Sequence, residues 1–146
     1  MKQILMTGGC GFIGSAFVRE VVSDGKYNIV NIDKLTYAAN KSSIASVENS
    51  DKYTFINEDI ANIQEIEKIV LDIKPDYIVN IAAESHVDRS IDSSLDFIHT
   101  NILGTYSLLE SSRKLFNLNK NKEFKFIHIS TDEVYGDLDQ DDDPFT

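Results

Sequence analysis

Along the 146-residue chain, short apolar runs of β type are separated by longer segments with apolar residues every three or four positions. Residues 3–6 (QILM) predict a first buried strand, and Phe12, Ile13, Ala16, Phe17 and Val21 then fall at helical spacing. Residues 28–33 (NIVNID) and 53–57 (YTFIN) predict the second and third strands. Over 62–73 a helix is expected, with Ile63, Ile66, Ile69, Val70 and Ile73 on one stripe and Glu65, Glu67 and Lys68 away from it. Pro75 lies just past its end, where a proline stops a helix. Residues 77–82 (YIVNIA) predict strand four, a long helix fills about 94–116, and 124–130 (FKFIHIS) predict strand five. Strand and helix in alternation predict an α/β fold, a doubly wound parallel sheet joined by right-handed crossovers. Five strands in the order 3-2-1-4-5 are the nucleotide-binding form of that architecture.

Composition narrows the setting. With 42% apolar and 26% charged residues the chain has the make-up of a globular domain. The formal net charge of −10 makes nucleic acid a poor partner, because phosphate binding needs a basic surface. Five aspartates (Asp137, Asp139, Asp141, Asp142 and Asp143) crowd the end and supply half of that charge, which reads as a solvated acidic loop over 137–146. A calcium loop would need a glycine and a closing glutamate at set positions, and neither is present. A single cysteine excludes an intramolecular disulfide and fits a reducing, cytoplasmic setting. The start, MKQILMTGG, has too short an apolar run for a signal peptide, and no segment approaches membrane-spanning length.

The chemistry begins where the first strand meets the first helix. Gly8, Gly11 and Gly14 are spaced G-x-x-G-x-x-G at that turn. A sharp turn wants a residue without Cβ restraint, and the backbone there must approach a pyrophosphate closely. The unpaired N–H groups of the helix that follows favour the anion. Asp33 closes the second strand 19 residues after Gly14, where a carboxylate accepts the ribose hydroxyls and repels a 2′-phosphate. NAD is therefore expected over NADP, in a Rossmann-type domain, with Lys34 directly after Asp33 softening the preference. Cys10, inside the loop, reads as a small apolar filler, with a redox role the lesser alternative.

Ligands bind beyond the carboxyl ends of parallel strands, so two more segments should line the cofactor. Glu58-Asp59-Ile60 follows strand three, where adenine would lie, and Ala82-Ala83-Glu84-Ser85-His86 follows strand four. A hydrolase triad of Ser85, His86 and Asp88 is disfavoured, because triad members rarely converge from one short loop. Strand five ends in Ser130-Thr131-Asp132-Glu133 before Gly136. Two carboxylates at the mouth of such a site can divide into an acid and a base, and a capping role for both is equally compatible with the spacing.

TGGCGFIGS, DKLTYAAN (Asp33 to Asn40), AAESHVDRS (Ala82 to Ser90), TNILGTY (Thr100 to Tyr106) and STDEVYGD (Ser130 to Asp137) together carry a resemblance. In order and spacing, from Met1 to about Gly136, the chain resembles the dTDP-glucose 4,6-dehydratases of the extended short-chain dehydrogenase/reductase superfamily. The resemblance implies that Phe12, Ile13, Asp33, Lys34, Leu35, Thr36, Asp59 and Ile60 contact NAD. It implies the same for Ile81, Ala82, Ala83, Glu84, Ser85 and Thr100, with Ser85 also near the sugar of a dTDP-glucose substrate. It further implies the reaction: NAD takes a hydride from C4, water is lost across C5 and C6, and the hydride returns to C6. By the same likeness Glu133 removes the C5 proton, Asp132 protonates the departing C6 hydroxyl, and Thr131 hydrogen-bonds at the C4 oxygen.

One departure stands out. The family's base for the C4 hydroxyl is a tyrosine in a Y-x-x-x-K motif after strand five, and no such motif follows that strand within the 146 residues, where Tyr135 has Asp139 four positions on. The expectation is an incomplete NAD-binding domain over 1–146, lacking the later strands and a C-terminal substrate domain, and inactive alone. Phe124, Phe126, Ile127 and Ile129 should then lie partly open, promoting association, with a homodimer the state of an intact enzyme. Alternatives are a related GDP- or UDP-sugar dehydratase or epimerase, and a stand-alone NAD-binding or assembly module.

Overall fold

The computed structural model of the chain describes residues 1–86, 88, 91, 93–138 and 142–144. Asp139, Gln140, Asp141, Phe145 and Thr146 of the predicted acidic loop lie outside the described residues, and so do Val87, Arg89 and Ser90 of the AAESHVDRS segment. Five parallel strands form one sheet: β1 (Lys2–Thr7), β2 (Tyr27–Ile32), β3 (Tyr53–Ile56), β4 (Tyr77–Asn80) and β5 (Lys125–His128). Their order is β3-β2-β1-β4-β5, as the alternating pattern predicts. The reversal between β1 and β4 opens a crevice at the carboxyl end of the sheet.

Each face has its own core. Helix α1 (Phe12–Asp24) covers one face, where Ile4, Met6, Val18, Val22, Ile29 and Val79 are buried together. Helix α2 (Ile63–Ile73) covers the other, with Ile66 and Val70 fully buried against Leu5, Ile32, Ile78 and Leu108. α1 stops at Gly25, which takes φ +74° and closes the last turn onto the Val21 carbonyl. Among the described residues, no helix is long and apolar enough to cross a membrane.

Two local expectations change. On α1 the inward face is Gly14, Ser15, Val18 and Val22, while Phe12, Ile13 and Ala16 are exposed. A Cβ at Gly14 would collide with the Gly8 carbonyl oxygen, so the helix docks through that bare position and turns Phe12 and Ile13 outward. The predicted single helix of 94–116 is α3 (Ser94–Phe97), a π-helical stretch over Ile98–Gly104, and α4 (Thr105–Asn119). Gly104 ends the π stretch in direct contact with Ile60, where a Cβ would lie 2.5 Å from the Ile60 Cδ1. The edge of the sheet at β5 is partly open as expected: Ile127 and Ile129 are exposed, and Phe124 and Phe126 are half-buried against the second core.

Candidate functional site

The loop after β1 is folded by β2. The amides of Gly8, Gly9 and Cys10 donate in turn to the Ile32 carbonyl (2.9 Å), the Asn31 Oδ1 (3.0 Å) and the Asp33 Oδ2 (2.8 Å). The Gly11 amide then closes a turn onto the Gly8 carbonyl at 3.1 Å. Gly8 has φ +73°, and a Cβ there would stand 2.7 Å from the Ala82 backbone nitrogen, so only glycine lets the loops after β1 and β4 pass this closely. Gly11 precedes α1 with no side-chain cap, and among the described residues no hydrogen bond occupies the amides of Phe12 and Ile13. They are the first unpaired donors of a 13-residue helix, aimed where an anion is most favoured.

A groove of about 550 Å³ runs past this loop along the carboxyl ends of the strands. Gly8, Gly11, Phe12, Ile13 and Gly14 form its floor, and Asp33, Lys34 and Thr36 one wall. Ile60 and Thr100 close the end beyond β3, and Ile81, Ala82, Ala83, Glu84 and Ser85 form the opposite wall. Ser130 and Thr131 reach the same space from the end of β5. Of the predicted residues, Leu35 and Asp59 stand just off the lining, and Asp132 and Glu133 lie beyond it on an exposed 3-10 turn, Asp132–Tyr135. Glu133 folds back there, accepting a bond from the Thr131 hydroxyl at 3.3 Å.

Charge in the groove is arranged in pairs. Asp33 is buried, with Oδ2 on the Cys10 amide and Oδ1 on the Leu35 amide, both at 2.8 Å. The second bond holds Leu35 at φ +58° and turns the chain back over the strand end. Lys34 Nζ donates to the buried Thr100 hydroxyl at 2.9 Å and pairs with Asp59 at 3.4 Å. Across the groove, Tyr37 donates to the Glu84 carboxylate at 3.1 Å, linking the loops after β2 and β4. Burial, reinforced by the Asp33 charge, pushes the Cys10 thiol up to about 11, so it is the inert filler and not a redox thiol.

Residues with no role in the sequence reading hold these walls. Asn80, fully buried at the end of β4, accepts from Thr7 Oγ1 and contacts His128 Nδ1 at 3.1 Å. Asn101, on the π-helical stretch, brackets the backbone of Glu84: its Oδ1 accepts the Glu84 amide at 2.9 Å and its Nδ2 donates to the Glu84 carbonyl at 2.8 Å. The available signal was an asparagine inside an otherwise apolar β-run, as in NIVNID and YIVNIA, since a buried amide there must find partners.

The family described as GDP-mannose 4,6 dehydratase matches residues 5–146, nearly the whole chain. The chain belongs to this family. Similar curated relatives include dTDP-glucose 4,6-dehydratases. The Haemophilus influenzae protein is 49% identical over 149 residues, covering 100% of this chain and 44% of the relative. The Salmonella typhimurium protein is 50% identical over 144 residues, covering 97% and 40%. Among solved structures, the dTDP-glucose 4,6-dehydratase of Bacillus anthracis in complex with NAD superposes with a TM-score of 0.78 at 36% identity, over 100% of this chain and 42% of that one. The Streptomyces venezuelae dTDP-glucose 4,6-dehydratase with NAD and TYD bound gives 0.82 at 37%, over 94% and 42%. A Campylobacter jejuni UDP-Glc/GlcNAc 4-epimerase shares the fold at 0.79 but only 28% identity. The chain spans less than half the length of the dehydratases it matches.

Proposed function

We propose that this chain is the NAD-binding part of a dTDP-glucose 4,6-dehydratase, which converts its substrate to dTDP-4-keto-6-deoxyglucose. One observation carries the reading: a single groove joins the glycine loop and Asp33 to Thr131, the residue before the Asp132-Glu133 pair. The residues fit the cofactor on their own geometry, since a Cβ would obstruct the cradle at Gly8 and two helix-start amides are unpaired at its floor. Phe12 and Ile13 would hold the diphosphate through those amides, and Asp33 the ribose of the adenosine half. Ile60 and Asp59 would flank the adenine. NAD held there would supply a hydride acceptor for oxidation at C4 and a hydride donor for C6.

The chain's own groups carry the proton steps. Thr131 lines the groove at the end of β5 and orients the C4 oxygen once substrate draws its hydroxyl from Glu133, with Ser85 on the opposite wall. Glu133 removes the C5 proton once C4 is a ketone, and Asp132 gives its proton to the departing C6 hydroxyl. Both stand on an exposed turn, so this division of roles is completed by whatever part of the enzyme covers them. The exposed stripe on the α3–α4 face supports pairing of two copies as a homodimer.

The test has two stages. The chain should bind NAD in preference to NADP, with Asp33→Asn weakening NAD at least about tenfold, the loss of one charge-assisted bond. Supplied in trans with the rest of a relative's chain, it should then form the 4-keto-6-deoxy sugar from dTDP-glucose, and Glu133→Gln should abolish that product. NAD binding without any such rescue favours a stand-alone binding module.

A further inference from the structure

The glycine loop depends on a buried side chain that no cofactor can touch. Asn31 is fully buried near the end of β2, on the sheet face that carries Ile29 and Asp33. Its Oδ1 accepts the Gly9 amide at 3.0 Å, which fixes the orientation of the amide group, because the backbone N–H can meet only an oxygen there. Its Nδ2 donates to the buried Tyr53 hydroxyl at 2.9 Å and reaches the Cys10 sulfur at 3.7 Å. A Cβ on Gly9 would fall on this amide, 2.7 Å from Nδ2, so loop and side chain are fitted to each other. With the Ile32 carbonyl and Asp33 on either side, Asn31 completes a row of three acceptors that takes up three consecutive amides.

We propose that Asn31 is a positioning residue for the diphosphate site, tethered by Tyr53; this rests on the reading of the groove as a dinucleotide site. The reason is one of accounting for donors. The amides of residues 8 to 11 are all satisfied inside the protein, so the first ones left for a ligand are those of Phe12 and Ile13. Removing the Asn31 acceptor leaves the Gly9 amide buried without a partner. The loop then relieves that cost by rotating, and a rotation at Gly9 swings the start of α1. Adenosine, seated on Asp33 and Ile60 in the proposed reading, makes no bond to the Phe12 and Ile13 amides, and the second Asp33 tether, to the Leu35 amide, holds that end of the groove in place. Tyr53 anchors the arrangement from β3, and burial raises its hydroxyl to about 12, so the tether is neutral and adds no charge near the anion.

The decisive measurement is the affinity of the chain for ADP and for adenosine, each by calorimetry. Wild type should bind ADP more tightly than adenosine. Asn31→Leu should weaken ADP about tenfold or more, the worth of one well-placed hydrogen-bonded anion contact, with adenosine unchanged within about twofold. Tyr53→Phe, which leaves Asn31 in place but unanchored, should weaken ADP about threefold on the same scale. Val70→Ala, in the core on the far face, should lower the melting temperature and leave the ADP-to-adenosine ratio untouched. An unchanged ratio in Asn31→Leu, or a proportional loss of both ligands, overturns the proposal. If Asn31→Leu fails to fold, an unchanged ratio in Tyr53→Phe overturns it. Should wild type itself show no preference for ADP, the dinucleotide reading of the groove fails, and this inference falls with it.

Discussion

Backbone donors at the glycine loop are distributed so that the four of residues 8 to 11 are used within the protein while those that open α1, Phe12 and Ile13 first, remain for a ligand, and single side chains control that division. Gly8 combines φ +73° with a neighbour 2.7 Å from where its Cβ would be. Gly8→Ala should therefore cost about 1–2 kcal/mol for the left-handed conformation, and more for the collision with Ala82, read as a lower urea midpoint. Cys10 and Tyr53 make a second prediction. Burial raises the thiol from 9.0 to about 11 and the phenol from 10.0 to about 12. Both are acids whose folded values exceed the unfolded ones, so the stability they carry is complete below pH 9 and is lost as pH rises through 11 and 12. The melting temperature should be level from pH 7 to 9 and fall beyond it, with Cys10→Ala flattening the first part of the fall. The glycine spacing and Asp33 were legible in the sequence because their demands are local. Asn31 was not, because the partner of a buried amide 22 residues from Gly9 is known only once the strands are paired.

Elements set the walls of the groove. The helical pattern of 94–116 announced a helix, yet seven residues at its centre are π-helical, a stretch that brings Thr100 to Lys34 and Asn101 to Glu84. A widened turn is invisible in periodicity, because apolar spacing of three and four fits either winding. Gly104 follows the same logic, since its bare Cα fits only because Ile60 arrives from beyond β3. Asn101→Ala should remove both bonds to the Glu84 backbone, leaving the fold intact at a cost of about 1 kcal/mol or less at this exposed site. Hydrogen exchange at the Glu84 amide should speed up, while exchange in β1 should not.

At the scale of the molecule the surface is uneven. Leu95, Ile98, Ile102, Tyr106, Leu109 and Phe116 are exposed at helical spacing along α3, the π stretch and α4, and Ile127 and Ile129 are exposed on β5 and just past it. A row of exposed apolar side chains along one helix face drives association. Sedimentation should show mass rising with concentration, and Ile102→Asp with Leu109→Asp should shift the chain toward monomer without lowering its melting temperature. A monomer at all concentrations in the unmutated chain would refute this.

The sequence by itself determined the alternation of strand and helix, the sheet order, the glycine turn and the acidic residue that answers it. These follow from hydrophobic period and local backbone geometry, which a linear pattern encodes. Only the tertiary structure decided which face of α1 is buried, which amides of the loop remain unpaired, and that Asn31, Asn80 and Asn101 hold the groove's walls. Those outcomes depend on contacts between residues distant in the chain, where one missing hydrogen bond or one Cβ too many changes which arrangement is lowest in free energy.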